Sequence, residues 1–172
     1  MIDNRNTVNS FILKVGLLLG VAFSATIYIA HLRGTTHIPG DNVSWLNIII
    51  FSFIGIVTGN QYKAVENNNL SFNRAFLYLT KLNLASASIL TIFCYIYYRY
   101  LAPDDLQEIL RQVQNTITQL GTIPDEQTQL LMQIYKSSLS AGTMAFVVLV
   151  FQIIGTSIFG LLLANIIRTK KI

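Results

Sequence analysis

Long apolar runs separated by short polar stretches make up most of this chain. Four windows carry few charges and are long enough to cross a bilayer: about 11–30, 43–62, 76–98 and 142–167. A helix rises about 1.5 Å per residue, so roughly 20 apolar residues cross the hydrocarbon, which is about 30 Å thick. No window shows the charged face of a soluble amphipathic helix. The pattern predicts an all-α integral membrane four-helix bundle, formed by residues 1–172 as one domain.

The segment of about 103–140, between the third and fourth windows, has a different pattern. Apolar residues recur there every three or four positions after a helix start at Pro103, which indicates an amphipathic helix: Leu106, Ile109, Leu110, Val113, Ile117 and Leu120. Gly121 predicts its end, and Thr122 with Pro124 predicts a second start. We therefore expect an extracytoplasmic helical hairpin, which either covers the bundle or lies on the membrane. A docking surface for a protein partner is the alternative.

Composition and charge support a membrane protein and give it an orientation. Hydrophobic residues make up 52% of the chain, charged residues only 12%, and the mean hydropathy is +0.51, so polar groups are too few to cover a soluble globule. Most Lys and Arg residues fall on one side of the spans: Arg5, Lys14, Lys63, Arg74, Lys81, Arg168, Lys170 and Lys171. The positive-inside rule then places both termini in the cytoplasm. We expect membrane lipid as a partner and no nucleic acid, because the basic residues do not cluster on an aqueous face.

The first window has a second interpretation, a cleaved signal peptide. Arg5 and Lys14 precede its apolar run, and the residues from Ala22 to Ala25 resemble a cleavage site. Its apolar stretch is longer than the usual 7 to 15 residues of a signal peptide. We therefore expect it to be retained as a span.

Tyrosines gather where the third window ends. Tyr95, Tyr97, Tyr98 and Tyr100 precede Pro103, and aromatic side chains of this kind mark membrane interfaces. We expect an aromatic belt at the outer interface. A tyrosine-rich core helix is the alternative.

Small residues recur at spacings that allow close helix contact. Gly16 and Gly20 share one helix face, as do Gly55 and Gly59, and Gly160 lies in the fourth window. Helices in lipid associate through such small residues. We interpret these glycines as packing positions of the bundle.

A few polar residues lie inside the apolar windows. One face of the third window, which we expect to point inward, carries Lys81, Ala85, Ser88 and Tyr95. Lys81 lies close enough to the inner end to extend its ammonium to the interface instead. Gln152 lies near the middle of the fourth window, where an amide needs a partner, most simply another helix. The windows hold no Asp or Glu, which disfavours a proton relay or cation-coupled transport.

Known catalytic and cofactor motifs do not occur in the sequence. The chain has no Gly-rich phosphate loop, no His-Glu-x-x-His and no Gly-x-Ser-x-Gly. His31, His37 and Asp41 are near one another but do not match a closed zinc pattern, and the single Cys94 cannot form an internal disulfide. We expect no catalytic residues, no cofactor and no metal.

Two sequence elements resemble a known family. Ser71, Phe72, Ala75 and Phe76 lead into the third window, and Tyr97, Tyr98, Tyr100 and Pro103 leave it. Both elements are similar to those of small four-span bacterial inner-membrane proteins, common in Bacteroidetes, that are classed as a domain of unknown function. The stretch from His37 to Asp41 departs from that pattern. The resemblance implies the four-span topology and a location in the bacterial inner membrane, and it brings no activity with it.

These patterns favour a non-enzymatic function. We expect a structural or accessory protein that acts through a protein partner at residues 103–140 or through self-association. The alternative is a small-molecule carrier or channel, with a polar path along the third and fourth spans past Lys81, Ser88 and Gln152. A membrane enzyme acting on lipid or envelope precursors is a third hypothesis.

Overall fold

A computed structural model describes residues 4–36, 41–120 and 125–169, and these residues form helices and turns without a strand. The six α-helices are α1 (Asn4–Leu32), α2 (Asn42–Val65), α3 (Phe72–Ile96), α4 (Asp104–Leu120), α5 (Asp125–Ser138) and α6 (Ala141–Ile167), and a π-helical turn, Tyr97–Leu101, extends α3. The predicted all-α class is confirmed.

Four of these helices are long and apolar enough to cross a bilayer. Within the described ranges they are Val8–Leu32, Asn42–Val65, Phe72–Leu101 and Ala141–Ile167. Each contains one of the four predicted windows and extends beyond it. The chain is therefore a multi-pass membrane protein, as the hydropathy pattern predicts.

Polar side chains next to the spans begin three of these helices. Asp41 accepts a hydrogen bond from the backbone N–H of Ser44 at 2.9 Å, and Ser71 and Ser140 cap α3 and α6 in the same way. After α2, Asn67 and Asn68 adopt positive φ angles of 53° and 57°, which asparagine tolerates better than most residues. These caps and this turn set where each span meets the polar region.

Helix α3 is the central helix of the bundle, with α1 on one side and α6 on the other. Gly16 and Gly20 make the approach of α1 possible. A Cβ atom built at Gly16 would lie 2.5 Å from the Cβ of Ala85, and one at Gly20 would lie 2.7 Å from the backbone oxygen of Ser86. Neither position has space for a side chain, so α1 and α3 touch nearly backbone to backbone.

Helix α2 packs mainly against α6. A Cβ atom at Gly59 would lie 2.7 Å from Ile167 Cδ1, and one at Gly55 would lie 3.0 Å from Leu79 Cδ2 of α3. Gly160 is different, because its nearest neighbour would be 3.8 Å away, an ordinary contact. The close packing of α2 is thus concentrated toward its C-terminal half.

Contacts between distant residues define two ends of the bundle. Thr169, just after α6, donates to the carbonyl of Asn68 at 2.5 Å and accepts from the N–H of Leu70 at 2.9 Å. The C-terminal part of α6 therefore lies beside the α2–α3 loop, together with the start of α1. We call this the basic end, because Lys63, Arg74 and Arg168 lie there. The opposite end, which we call the α4–α5 end, carries Asp104, Asp105 and Glu108.

Helices α4 and α5 lie at the α4–α5 end and contact each other. Ile109 of α4 is buried, and an apolar cavity of about 300 Å³ lies among Val113, Tyr135 and Met144 of α4, α5 and α6. Helix α5 leaves the apolar side chains of Leu130 and Ile134 exposed. The turn signals at Gly121, Thr122 and Pro124 lie outside the described residues, so the predicted hairpin connection stays a prediction.

Candidate functional site

An apolar recess opens between α2 and α6 toward the α4–α5 end, with Ile27 and Leu90 at its back. We call it the α2–α6 groove and define it by Trp45, Asn47, Ile48, Phe151, Gln152 and Phe159. It forms because α2 and α6 are in close contact at Gly59 and leave a gap nearer the start of α2. Its volume is about 460 Å³, within the roughly 300–1,000 Å³ typical of small-molecule sites.

Two buried amides face this groove from opposite walls. Asn47 is 2% exposed, and its Oδ1 accepts a hydrogen bond from the Thr26 hydroxyl of α1 at 2.8 Å. Gln152 is 9% exposed, and its Nε2 is buried without a hydrogen-bond partner. A buried donor without a partner costs about 1–3 kcal/mol. The groove thus combines apolar walls with one amide whose donor capacity is unused.

More polar side chains are buried between α3 and α6. Asn83, Ser86 and Thr156 are each at most 2% exposed, and the Oδ1 of Asn83 has no hydrogen-bond partner. Leu79 of α3 lies beside Gly160 of α6, and the two helices are antiparallel. Asn83 is one turn after Leu79 and Thr156 is one turn before Gly160, so both lie at a similar depth in the bundle. The Ser86 hydroxyl donates to its own helix, to the carbonyl of Asn83 at 2.9 Å. A polar layer therefore crosses the bundle next to the α2–α6 groove.

A hydrogen-bonded group joins three helices at the α4–α5 end. The Tyr97 hydroxyl donates to Asp105 Oδ2 at 2.5 Å and lies 3.2 Å from His31 Nδ1. The rings of His31 and Tyr97 meet edge to face, with centroids 5.4 Å apart. Tyr97 begins the π-helical turn, in which the Ala102 N–H bonds to the Tyr97 carbonyl at 2.8 Å. This group fixes the ends of α1, α3 and α4 against one another.

A polar recess lies at the basic end, where α1, α2 and α3 separate. We call it the basic pocket and define it by Asn9, Tyr62, Glu66, Arg74, Tyr78 and Lys81. Its volume is about 550 Å³. Lys81 donates to Asn9 Oδ1 at 3.0 Å, and Arg74 pairs with Glu66 at 2.5 Å. Tyr62 and Tyr78 stack at 4.9 Å and form an aromatic wall.

An exposed ion pair lies outside the spans, on α4. Arg111 donates to the two Glu108 carboxylate oxygens at 2.8 and 2.9 Å, and Gln112 donates to the same carboxylate at 3.1 Å. The Arg111 and then the Gln112 hydrogen bonds lower the pKa of Glu108, and the same pairing raises the pKa of Arg111. The pair is solvated, so it orders the surface of α4 more than it stabilises the fold.

Comparison with known families decides where the chain belongs. The family model DUF4199, described as a protein of unknown function, matches residues 14–169. The chain belongs to this family. No curated protein and no solved structure matches it. The predicted resemblance to a domain of unknown function is confirmed, and the Bacteroidetes origin stays a prediction.

The structure of this DUF4199 protein corrects the predicted inward face of α3. Lys81, Ser88 and Tyr95 are exposed, whereas Ala85 of the same predicted face packs against Gly16 of α1. The Ser88 hydroxyl donates to the Leu84 carbonyl of its own helix at 2.9 Å, so it needs no partner from another helix. Gln152 lies in the α2–α6 groove, away from Lys81 and Ser88. The structure therefore does not bring the three candidate residues together in one polar path.

The predicted aromatic belt of the DUF4199 protein divides into two pairs. Tyr95 and Tyr100 are exposed, as interfacial aromatic residues should be. Tyr97 and Tyr98 are at most 1% exposed and belong to the core, so the belt prediction is wrong for them. The π-helical turn changes the angle between successive residues, which helps neighbouring positions to face the same interior.

Sequence reasoning missed Asn83 and the contact of His31 with Tyr97. Asn83 lies well inside an apolar window, so the argument applied to Gln152 also applies to it. The tyrosine contact joins residues far apart in the sequence, and no local pattern predicts it. Within the part of the chain that the structure describes, no three His, Cys, Asp or Glu residues come close enough to hold a metal ion. His37 lies outside that part.

Proposed function

We propose that this DUF4199 protein is a non-enzymatic accessory protein of the bacterial inner membrane, and that it binds a lipid-like small molecule in the α2–α6 groove. The observation that carries the proposal is the groove itself, with apolar walls around the unpartnered amide of Gln152. Its polar groups are amides and hydroxyls, which orient a ligand but do not perform acid–base chemistry near neutral pH.

The position of the groove favours an amphiphile. Trp45 stands in the first turn of α2, where the span meets the interface, and Phe159 lies farther into the apolar part of α6. The two rings meet at 6.5 Å along one side of the groove. A ligand with a polar head near Ser44 and an apolar tail toward Phe159 would match this gradient. A small rotation of the Gln152 side chain would give its N–H group an acceptor on that ligand.

Trp45 supplies a direct assay, because it is the single tryptophan of the chain and lines the groove. We would titrate the purified full chain in detergent with a phosphatidylcholine brominated in its acyl chains, which quenches indole fluorescence on contact. We expect saturable quenching at about one lipid per chain. The Gly155→Leu variant should lose this saturable component, because its new side chain enters the groove.

Gly142→Leu is the matched control, since Gly142 lies in the first turn of α6 and outside the groove. The lipid should quench the Trp45 fluorescence of this variant as it does in the unmodified protein. Gln152→Leu should weaken binding roughly 5- to 150-fold, because a hydrogen bond from the amide to the ligand contributes about 1–3 kcal/mol. Equal saturable quenching in Gly155→Leu and Gly142→Leu would contradict binding in the groove.

The orientation of the chain is part of the proposal, with both termini in the cytoplasm. The support is the charge distribution: Lys63, Arg74 and Arg168 lie at the basic end, and the α4–α5 end carries the acids. Cysteines introduced at Asn68 and Asn115, in a Cys94→Ser background, test it by labelling intact cells from outside. Only the cysteine at Asn115 should react. Reaction at Asn68 alone would reverse the orientation.

A second candidate function concerns residues 103–140. Helix α5 exposes Leu130 and Ile134. In the proposed orientation these side chains lie near the extracytoplasmic surface of the membrane. We propose that α4 and α5 form a hairpin whose exposed apolar side rests on the outer leaflet. A fluorophore at residue 130 should be quenched by lipids brominated near the headgroup. A fluorophore at residue 115 is the control, and equal quenching at both positions would contradict the surface orientation.

A further inference from the structure

Two recesses of different chemistry meet at Lys81. The basic pocket lies on one side, and a shallow groove of about 450 Å³ lies on the other, along the contact of α1 with α3. We call the latter the α1–α3 groove and define it by Leu13, Leu84, Ala85 and Ser88. Asn9, Ile12 and Lys81 line both recesses, so they form one continuous surface that changes from polar to apolar.

The charges in the basic pocket favour an anion. Lys81 and Arg74 are seven residues apart on α3, close to two helical turns, so they share one face about 10.5 Å apart along the axis. Glu66 is the carboxylate among the residues that line the pocket, and Arg74 already pairs with it. That pairing uses one of the five N–H donors of the guanidinium, and Asn9 takes one of the three donors of the ammonium. The pocket therefore keeps a net positive charge and several N–H donors.

The Lys81 side chain extends toward the basic end, where its ammonium meets Asn9 near the start of α1. Lys81 begins about 13.5 Å from the start of α3, and its ammonium binds a side chain of α1 inside a recess. The stacked rings of Tyr62 and Tyr78 keep one wall of the recess in place. This extension holds the ammonium near the interface, beside both the basic pocket and the α1–α3 groove.

We propose that Lys81 and Arg74 bind the phosphate of an anionic phospholipid from the leaflet at the basic end, and that one acyl chain of this lipid lies in the α1–α3 groove. The phosphate lies between the two cations, where N–H donors from both reach its oxygens. The acyl chain passes Ile12 and follows Leu84 and Ser88 into the hydrocarbon. Basic recesses between membrane helices are suited to such headgroups.

This site is separate from the one in the proposed function. The α2–α6 groove lies toward the α4–α5 end, and the two recesses share no residue with it. Variants at Gly155 and variants at Lys81 therefore test the two proposals independently. Either site can fail without affecting the other.

Native mass spectrometry of the full chain tests the headgroup assignment. The chain in detergent would carry Gly155→Leu throughout, which fills the α2–α6 groove, and would receive equal amounts of phosphatidylglycerol and phosphatidylcholine. We expect one retained phosphatidylglycerol, and each of Lys81→Gln and Arg74→Gln should lower its affinity about fivefold, the effect of one cation near anionic lipid. Lys63→Gln is the matched control, because Lys63 lies at the same end and does not line the pocket. Its preference should stay within about twofold of the Gly155→Leu protein.

Two further variants separate a bound lipid from a general charge effect. Lys81→Arg keeps the charge and should keep the preference. Ser88→Trp should lower retention by filling the α1–α3 groove, whereas Ile92→Trp, one turn farther along the exposed side of α3, should not. Circular dichroism confirms that each variant is folded.

Three results would overturn the proposal. The first is equal retention of both lipids by the Gly155→Leu protein, whose α2–α6 groove is filled. The second is an unchanged preference in folded Lys81→Gln and Arg74→Gln. The third is displacement of the lipid by millimolar inorganic phosphate, because the ligand would then be free phosphate and the acyl chain would contribute nothing.

Discussion

The contact of α1 with α3 makes a strong quantitative prediction for the Gly16→Ala variant. The new Cβ atom would lie 2.5 Å from the Cβ of Ala85 and 2.9 Å from the backbone oxygen of Leu82. Ordinary Cβ contacts begin at 3.4 Å, so the helices must separate by ~0.9 Å or distort. The backbone oxygen cannot turn away as a flexible side chain could. We expect Gly16→Ala to lower the free energy of unfolding by about 1–3 kcal/mol, the usual cost of overpacking.

The assay is thermal unfolding in detergent, followed by circular dichroism, with Gly155→Ala as the matched control. A Cβ atom at Gly155 would meet its nearest neighbour at 3.6 Å, an ordinary contact, so this variant should be neutral or slightly more stable. For a chain of this size, each kcal/mol shifts Tm by about 2–4 °C. The double variant with Ala85→Gly removes the shorter of the two contacts and should recover part of the loss. Equal Tm values for Gly16→Ala and Gly155→Ala would refute the reasoning.

Three other predictions concern polar contacts. Tyr97→Phe removes the hydrogen bond to Asp105 and should lower the free energy of unfolding by about 1–3 kcal/mol in a denaturant titration in mixed micelles. Arg111→Gln should raise the pKa of Glu108 in an NMR titration. Because the pKa of Glu108 is lowered in the folded protein, its ion pair stabilises the fold above the usual carboxyl pKa range. This stabilisation is lost as pH falls through the folded pKa, so the decrease of stability at acidic pH should be smaller in the variant. Thr169→Val should speed amide hydrogen exchange in the α2–α3 loop, which loses the two hydrogen bonds of the Thr169 hydroxyl and keeps only the backbone bond to Leu70.

The spans could be predicted from the sequence because the bilayer requires one property, a sufficient length of apolar residues, that can be counted directly. Which side of each helix contacts protein and which contacts lipid could not be predicted in the same way. A membrane helix is apolar on its lipid side and on its protein side, so Ser88 and Ser86 look alike in the sequence. Their hydroxyls both bond to their own helix, and yet one is exposed and the other is buried. Whether a residue of α3 is buried depends on which neighbouring helix packs against it, and that is known only from the folded structure.

The candidate sites depend even more on tertiary structure. Gln152 could be singled out because an amide in mid-span must find a partner. The groove beside it arises where α2 separates from α6, which depends on the close contact at Gly59 farther along the helix. The basic pocket likewise needs Asn9, Glu66 and Lys81 from three helices. Hydropathy and motif searches treat each helix separately, so neither recess has a signature within a single segment.

The pairing of α1 with α3 also has a consequence for biosynthesis. Helices enter the membrane in chain order, so α1 and α2 arrive first, and they make few contacts with each other in the bundle. Gly16 and Gly20 of α1 pack against α3, which has not yet been synthesised when α1 and α2 insert. The first two spans must therefore wait as a loosely associated pair until α3 is synthesised. A chain that stops after α2 would then lack its principal packing surface, and quality-control proteases should degrade it faster than one that stops after α3.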